Sequence, residues 1–498
     1  MQAFLDKYKL INVFVVLLII YLFLTRILLI FSYSVDLDGL EFIFIYYIQH
    51  LLEHNQIYNN PTEFPFRACL FVPAYLYFSA FIVKLFNVDY KNLHSLYITV
   101  RIISLSLFIS QLILFISYIR YRFKIQSNIL LPVILFYLLL ITGHMYVVRP
   151  DAMKFLLFTT GFICLFEYHF YNSNKLYLIL FLILSVLNVY TKQDSFIYIS
   201  LLIVGLFIVT KKIKYLFLLI LFYLLTAIVF GICVLFFGPF FYTNVIMFNF
   251  QKVDHVFNSI NSMFSLFSLI RIIPVVIFAF ILTKYNYNHT NKNSERSFLI
   301  LAFSIIGITA HLFILRAGSY INYAFESIFI LVFLLFYLLQ NFTPDNLLSG
   351  KIKYLILFYF ICLFMTNIII HSYTFNFNAE KKIKLEYYEN IKNGLKINSI
   401  VKNEVVYFPN IKNGLFCSDR NIIFGYDYNI GRLISFYLPL KVNSQLMFFD
   451  SKNYDECFVN GKVRYIINDS KNDSDIKKYY PHFKICNKVG DLNIYCFQ

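Results

Sequence analysis

The sequence predicts an all-α polytopic membrane protein with a small exterior α/β domain at its C-terminal end. Three observations lead there. The 498 residues are 59% hydrophobic and 14% charged, whereas a soluble domain carries about 25% charged residues. Apolar runs of about 17–25 residues, the length that crosses a bilayer as a helix, recur as far as residue 371. Beyond that point Asn, Asp and Lys increase, and short β-like runs replace the long apolar ones.

In order, the apolar runs fall at 10–32, 98–119, 128–148, 154–171, 176–191, 194–210, 215–237, 265–283, 298–315, 321–340 and 354–371, about eleven transmembrane helices. The first has a basic approach (Lys7, Lys9) and no small-residue cleavage site after it, so it reads as a retained helix. The formal charge of +16 sits largely in short loops. Lys7/Lys9, Arg120/Arg122/Lys124, Lys175, Lys211/Lys212/Lys214, Lys284/Lys292/Arg296 and Lys351/Lys353 fall on one side, which the positive-inside rule makes cytoplasmic. Membrane lipids, not nucleic acid, are the partners this charge suggests. The N-terminus is then cytoplasmic and the region after 371 outside. With no Trp in the chain, Tyr must supply any interfacial aromatic belt.

Two segments are not spans. Residues 33–97 form an exterior loop too long for a simple connection. Its apolar-periodic pieces, 42–52 and 70–86, read as two amphipathic helices on the outer surface, with Pro61, Pro65 and Pro73 as punctuation. The chain thus divides into a transmembrane module, 1–371, and a C-terminal extracytoplasmic domain, 372–498. In the latter, 405–408, 463–467 and 492–496 read as strands. Cys417, Cys457, Cys486 and Cys496 cluster there, and an exterior location would allow one or two disulfides. Cys69, Cys164, Cys233 and Cys362 lie in or beside apolar segments and read as packing residues.

Ionisable residues in such a chain are costly and therefore informative. Asp36, Asp38 and Glu41 follow the first helix. Asp38 and Glu41 share a helical face and suit a general base acting on an acceptor hydroxyl or amine. The same residues also suit capping of a helix starting near Gly39. In Val148-Arg149-Pro150-Asp151, Pro150 fits a helix start, Asp151 the N-terminal dipole, and Arg149 offers a fork for phosphate; a local Arg149–Asp151 pair is the plainer reading. Tyr190-Thr191-Lys192-Gln193-Asp194 is a tight polar break that offers Lys192 to a phosphate or is simply a solvated turn. From Arg316 to Glu326, Asn322, Tyr323 and Glu326 fall on nearly one helical face, with Arg316 adding charge; interhelical hydrogen bonding explains them equally. All four groups map to the exterior side. A set of acids and bases there suits transfer from an anionic lipid carrier to an exterior acceptor. His50 and His54 lie four apart but lack a third ligand nearby, and no phosphate-binding Gly loop, GxSxG, HExxH or dinucleotide fingerprint occurs.

The ordered motifs resemble those of the GT-C superfamily of membrane glycosyltransferases. They are most similar to its bacterial mannosyltransferase-like branch, related to protein O-mannosyltransferases and lipid A aminoarabinose transferases. Asp38-Gly-Leu-Glu41 stands where bacterial members carry Asp-x-x-Glu or Asp-Glu. Leu51 to Tyr58 resembles the stretch LL-x-G-x-x-Y, Phe71 to Tyr75 resembles YPPLY, and Arg101 the Arg opening the second helix. Arg149 to Asp151, Thr191 to Gln193 and Gly318 to Tyr323 resemble further recurring stretches, so the likeness covers roughly 10–340. His54 replaces a common Gly, Val72 a common Pro, and the adjacent Asp-Glu pair of many members is absent.

The resemblance implies a polyprenyl-phosphate sugar donor, an extracytoplasmic acceptor (glycan, lipid or protein) and inverting displacement at the exterior face of a bacterial cytoplasmic membrane. It implies Asp38 or Glu41 as base, and Arg149, Lys192 and Arg316 as contacts to the donor phosphate. Asp36, Tyr58, Asp151, Gln193, Asn322, Tyr323 and Glu326 complete the expected substrate-binding set. Some members use a divalent cation (Mg or Mn) and others none; Asp38 and Asp151 would hold one here. A non-catalytic flippase of lipid-linked glycans, or an oligosaccharide polymerase or ligase, would share the topology. The sequence shows no clear inverted repeat for the former, and the long loop comes early, unlike the late loop of the latter.

Overall fold

The computed structural model describes residues 2–34, 37, 41–60, 69–141, 145–247, 276, 293–314, 321–340, 377–402, 404–408, 422–424, 458–469, 476 and 480–498. It is mostly helical, with a small C-terminal sheet. The helices are α1 Gln2–Ile30, α2 Glu41–His54, α3 Pro73–Leu85, α4 Leu93–Phe123, α5 Ser127–Ile141, α6 Asp151–Phe170, α7 Lys175–Val189, α8 Ser195–Thr210 and α9 Lys214–Phe237. They continue as the single turn α10 Phe240–Tyr242, then α11 Asn293–Ile314, α12 Phe325–Leu339 and α13 Phe377–Val401. Among the described residues, 5 helices are long and apolar enough to cross a membrane: those at Asn12–Ile30, Leu93–Phe123, Lys214–Phe237, Ser294–Ile314 and Asn322–Leu339. The expected spans 265–283 and 354–371 lie almost wholly outside the described residues. Within the expected span 128–148 the helix is described as far as Ile141, and 145–148 are not helical.

The chain forms two compact units. One comprises 1–32, 97–228 and 255–376. Its axle is α12, buried on every face from Phe325 to Leu339. A helix apolar all round belongs inside a bundle. Phe333 of α12 meets Phe162 and Phe166 of α6, each at 5.0 Å, and Phe123 at 5.5 Å; Phe329 meets Phe115 at 5.1 Å. Polar side chains within the bundle are satisfied between helices. The Gln111 amide of α4 donates to Tyr137 of α5 (2.9 Å) and Thr159 of α6 (3.1 Å). At the C-terminal end of α6, Glu167 accepts from Tyr118 at 2.7 Å and pairs with Arg122 at 3.3 Å, while Tyr171 donates to Glu295 at 3.2 Å.

The other unit comprises 33–96, 229–254 and 377–498. Here α2 and α3 pack together. On α3, Phe81 and Leu85 are exposed. By contrast, α2 is not the expected surface helix. It is buried on every face from Glu41 to Ile48, because Glu41-Phe-Ile-Phe-Ile-Tyr-Tyr-Ile48 offers no polar stripe to water. Asn244 ties the loops together: its Oδ1 accepts from Cys69 N–H (2.8 Å) and its amide donates to the Asn59 carbonyl (2.9 Å). On α13, Glu380 accepts from Tyr33 N–H (2.8 Å) and the Tyr387 hydroxyl from His94 N–H (3.0 Å).

The sheet follows α13, with strands β1 Val406–Phe408, β2 Ile422–Phe424, β3 Tyr465–Asp469, β4 Phe483–Val489 and β5 Leu492–Phe497 in the order β2-β1-β3-β5-β4. β1 runs parallel to β2 and β3; β5 runs antiparallel to β3 and β4. The three runs read as strands from sequence are β1, β3 and β5. Cys486 and Cys496 form a disulfide across β4 and β5 with Cα atoms 5.8 Å apart; Cys417 and Cys457 lie outside the described residues. Gly461 closes against the sheet at φ +66°, where an added Cβ would stand 2.6 Å from the Phe497 ring. Gly461→Ala is expected to cost about 1–3 kcal/mol, from left-handed strain plus overpacking. Faster hydrogen exchange at the β5 amides, with unchanged exchange in α6 and α12, would be the readout.

Candidate functional site

Three helices of the first unit begin with a carboxylate. Asp151 is the first residue of α6, Asp194 the residue before α8, and Glu326 the second residue of α12. The positive end of a helix dipole favours an anion at each position. Asp194 occupies a capping position without capping: its side chain makes no bond to the α8 backbone and turns to a neighbouring helix.

The cations that answer these acids come from the same segments. Lys192 Nζ lies 2.8 Å from Asp151 Oδ1, and the Asn322 amide donates to that same oxygen at 2.9 Å. Lys154 Nζ lies 2.8 Å from Asp194 Oδ2 and 2.6 Å from Glu326 Oε1. Arg149, also buried, adds a third positive charge acting on Asp151. Aromatic faces complete both groups: Lys192 stands 4.5 Å from the Tyr323 ring centroid and Lys154 4.8 Å from that of Tyr198. The Tyr198 hydroxyl donates to the Tyr323 carbonyl at 3.0 Å. The two lysines differ in access. The Lys192 side chain is 17% exposed and the Lys154 side chain 2%. Lys192, in the polar break between α7 and α8, is pushed down by burial, but Asp151 and Asp194 outweigh that and raise its pKa above the ordinary lysine value.

Buried ion clusters are poor sources of stability. Desolvation costs several kcal/mol per ion, and apolar residues of equal volume often do as well. In a chain this apolar, six such charges mark the cluster as a candidate site.

Of the expected substrate-binding residues, the structure brings Arg149, Asp151, Lys192, Asn322, Tyr323 and Glu326 into one neighbourhood of one unit, with half-buried Gln193 in the connecting turn. Glu41 and Tyr58 belong to the other unit. Glu41 is fully buried at the start of α2 and its Oε2 accepts from Leu37 N–H at 2.8 Å. Tyr58 is buried against Phe237 and Phe241 and donates to the Phe71 carbonyl at 2.7 Å, which makes it a packing residue there. Asp36, Asp38 and Arg316 lie outside the described residues. Sequence reasoning passed over Lys154, Asp194 and Tyr198. A lysine inside an apolar run, three residues after Asp151, was the available signal.

Asp151 Oδ1 takes an ammonium and an amide, and Asp38, the other residue expected to hold a cation, lies outside the described residues. Among the described residues, no three His, Cys, Asp or Glu side chains converge as a metal site.

Asp151→Asn and Lys192→Met are each expected to lower the unfolding temperature of the solubilised protein. The double variant should fall short of the summed losses, with a coupling energy of about 1–3 kcal/mol from the cycle. Because the Lys192 pKa is raised in the fold, that stabilisation should be complete below the ordinary lysine pKa of about 10.4. It should fade only as pH climbs through the higher folded value.

Comparison with protein-family models finds no match, and comparison with curated proteins finds none. Solved structures do match. The crystal structure of ArnT from Cupriavidus metallidurans bound to undecaprenyl phosphate aligns over 97% of this chain and 97% of that one, with a TM-score of 0.60 and 9% identity. The apo structure of the same protein aligns over the same shares, with a TM-score of 0.57 and 9% identity. At that identity the likeness is one of fold. The chain therefore shares the fold of that ArnT structure over nearly its whole length.

Proposed function

We propose that this integral membrane protein is a GT-C glycosyltransferase of a bacterial cytoplasmic membrane. It moves a sugar from a polyprenyl-phosphate donor to an extracytoplasmic acceptor with inversion. The observation that carries the reading is the fold likeness, over 97% of both chains, to a protein crystallised with undecaprenyl phosphate. The chain's own chemistry agrees with it. Lys192 and Arg149 offer positive charge at the N-terminal ends of α6 and α8, where helix dipoles also favour an anion such as a phosphate.

In the reaction, the acceptor oxygen or nitrogen bonds to the anomeric carbon on the face opposite the phosphate. The carbon–oxygen bond to phosphate breaks, its electron pair stays with the departing polyprenyl phosphate, and Asp38 or Glu41 takes the acceptor proton. Lys192, Arg149 and Arg316 hold the phosphate as its charge grows, which is where preorganised cations contribute most. Residues 1–371 are the transmembrane catalytic module, with the N-terminus cytoplasmic, and 372–498 are the exterior domain.

If Asp38 or Glu41 is the base, replacing it as Asp38→Asn or Glu41→Gln should slow sugar transfer by about 10²–10⁴-fold. The assay is consumption of radiolabelled polyprenyl-phosphate sugars by membranes containing each folded variant. Full transfer by both single variants would end this mechanism. Movement of labelled lipid across liposomes without sugar transfer would point to a flippase instead.

A further inference from the structure

The six residues at the buried cluster form two layers on three segments. Each segment contributes one residue to each layer. The outer layer is Asp151, Lys192 and Asn322; the inner layer is Lys154, Asp194 and Glu326. Spacing makes this possible. Asp151 and Lys154 are three apart on α6, and Asn322 and Glu326 are four apart at the entry to α12, so each pair advances by about one helical turn. Lys192 and Asp194 flank Gln193 in the turn before α8.

We propose that the inner layer is a positioning device for the outer one, with Lys154 as the residue that sets where Lys192 presents its charge to a lipid-linked phosphate. The proposal rests on the donor-phosphate reading of Lys192. Lys154 itself is sealed away: its ammonium is shared between two carboxylates and covered by Tyr198. It therefore acts only through its neighbours. Asp194 Oδ1 and Glu326 Oε2 are buried and have no hydrogen-bond partner among the described residues, so Lys154 carries most of what holds these two acids together. Without its charge the two carboxylates repel across a low-dielectric gap. As they part, they draw with them Lys192, two residues before Asp194, and Asn322, four before Glu326. Asp151 then loses both outer-layer partners at once. Lys192, by contrast, keeps some exposure and gives its ammonium to one carboxylate oxygen, which leaves N–H donors for a phosphate.

The test is binding of radiolabelled undecaprenyl phosphate to purified full-length protein, with undecaprenol, which lacks the phosphate, as a parallel probe. The variants are Lys192→Met, Lys154→Met, their double, and Lys154→Gln, which removes the same charge while keeping a polar side chain between Asp194 and Glu326. Lys192→Met and Lys154→Met should each weaken undecaprenyl phosphate binding by about tenfold, a factor typical of one lost charged contact. The double variant should bind no more weakly than Lys192→Met alone, because the inner layer acts through that residue. Undecaprenol should bind all variants alike. Should Lys154→Met fail to fold, Lys154→Gln paired with Lys192→Met carries the same cycle. Losses that multiply in the double variant, equal losses for undecaprenol, or wild-type binding by both Lys154→Met and Lys154→Gln would overturn the positioning role while leaving Lys192 as a phosphate contact. Wild-type binding by Lys192→Met would overturn the phosphate reading, and the positioning role with it.

Discussion

A carboxylate inside an apolar bundle must find a cation or lose its charge, and this constraint organises the first unit. Three acids stand at three helix starts, where backbone N–H groups offset part of their charge. That offset is incomplete, so Lys154 and Lys192 are drawn in from neighbouring segments. The resulting pairs tie α6, the α7–α8 turn and the entry to α12 together at one end of the bundle. Loss of either lysine would leave a buried anion uncompensated, the more expensive state by several kcal/mol.

The helix that carries Glu326 shows how packing and chemistry divide the work. Along its length α12 is wrapped in phenylalanine from α4 and α6, contacts that fix its axis but carry no polarity. Its N-terminal turn and the residues just before it carry the polar atoms of the cluster. Apolar packing thus holds rigid the element whose end presents Asn322 and Glu326, a general requirement of a site whose geometry must not drift by an ångström. At the C-terminal end of α6 the acid Glu167 is answered differently, by a tyrosine hydroxyl and an arginine. The N-terminal cluster relies on lysine, whose compact ammonium can serve two oxygens at once or be partly released to a ligand.

The fold likeness to ArnT at 9% identity fits this division. A membrane bundle needs apolar volume in the right places, and many side chains supply it. Charged positions are few and tightly constrained by desolvation. Chemistry can therefore be read from a handful of residues even where the rest of the sequence has drifted beyond recognition by family models.

The sequence by itself determined the class of protein, because hydropathy over about twenty residues is a local property. It placed nine of the apolar helices described here, and three strands of the C-terminal sheet. The polar positions Arg149, Asp151, Lys192, Asn322, Tyr323 and Glu326 stood out as well, since each breaks an apolar run or sits at its edge. What it did not determine was α2, whose hydrophobic residues look like a surface helix in isolation and prove buried once α3 packs on it. Nor did it show strands β2 and β4, which are too short or too polar to register alone. Above all it did not reveal the pairing of Lys154 with Asp194 and Glu326. Those residues lie far apart along the chain, and only the tertiary structure, by bringing the starts of α6, α8 and α12 together, decides that one ammonium serves both acids.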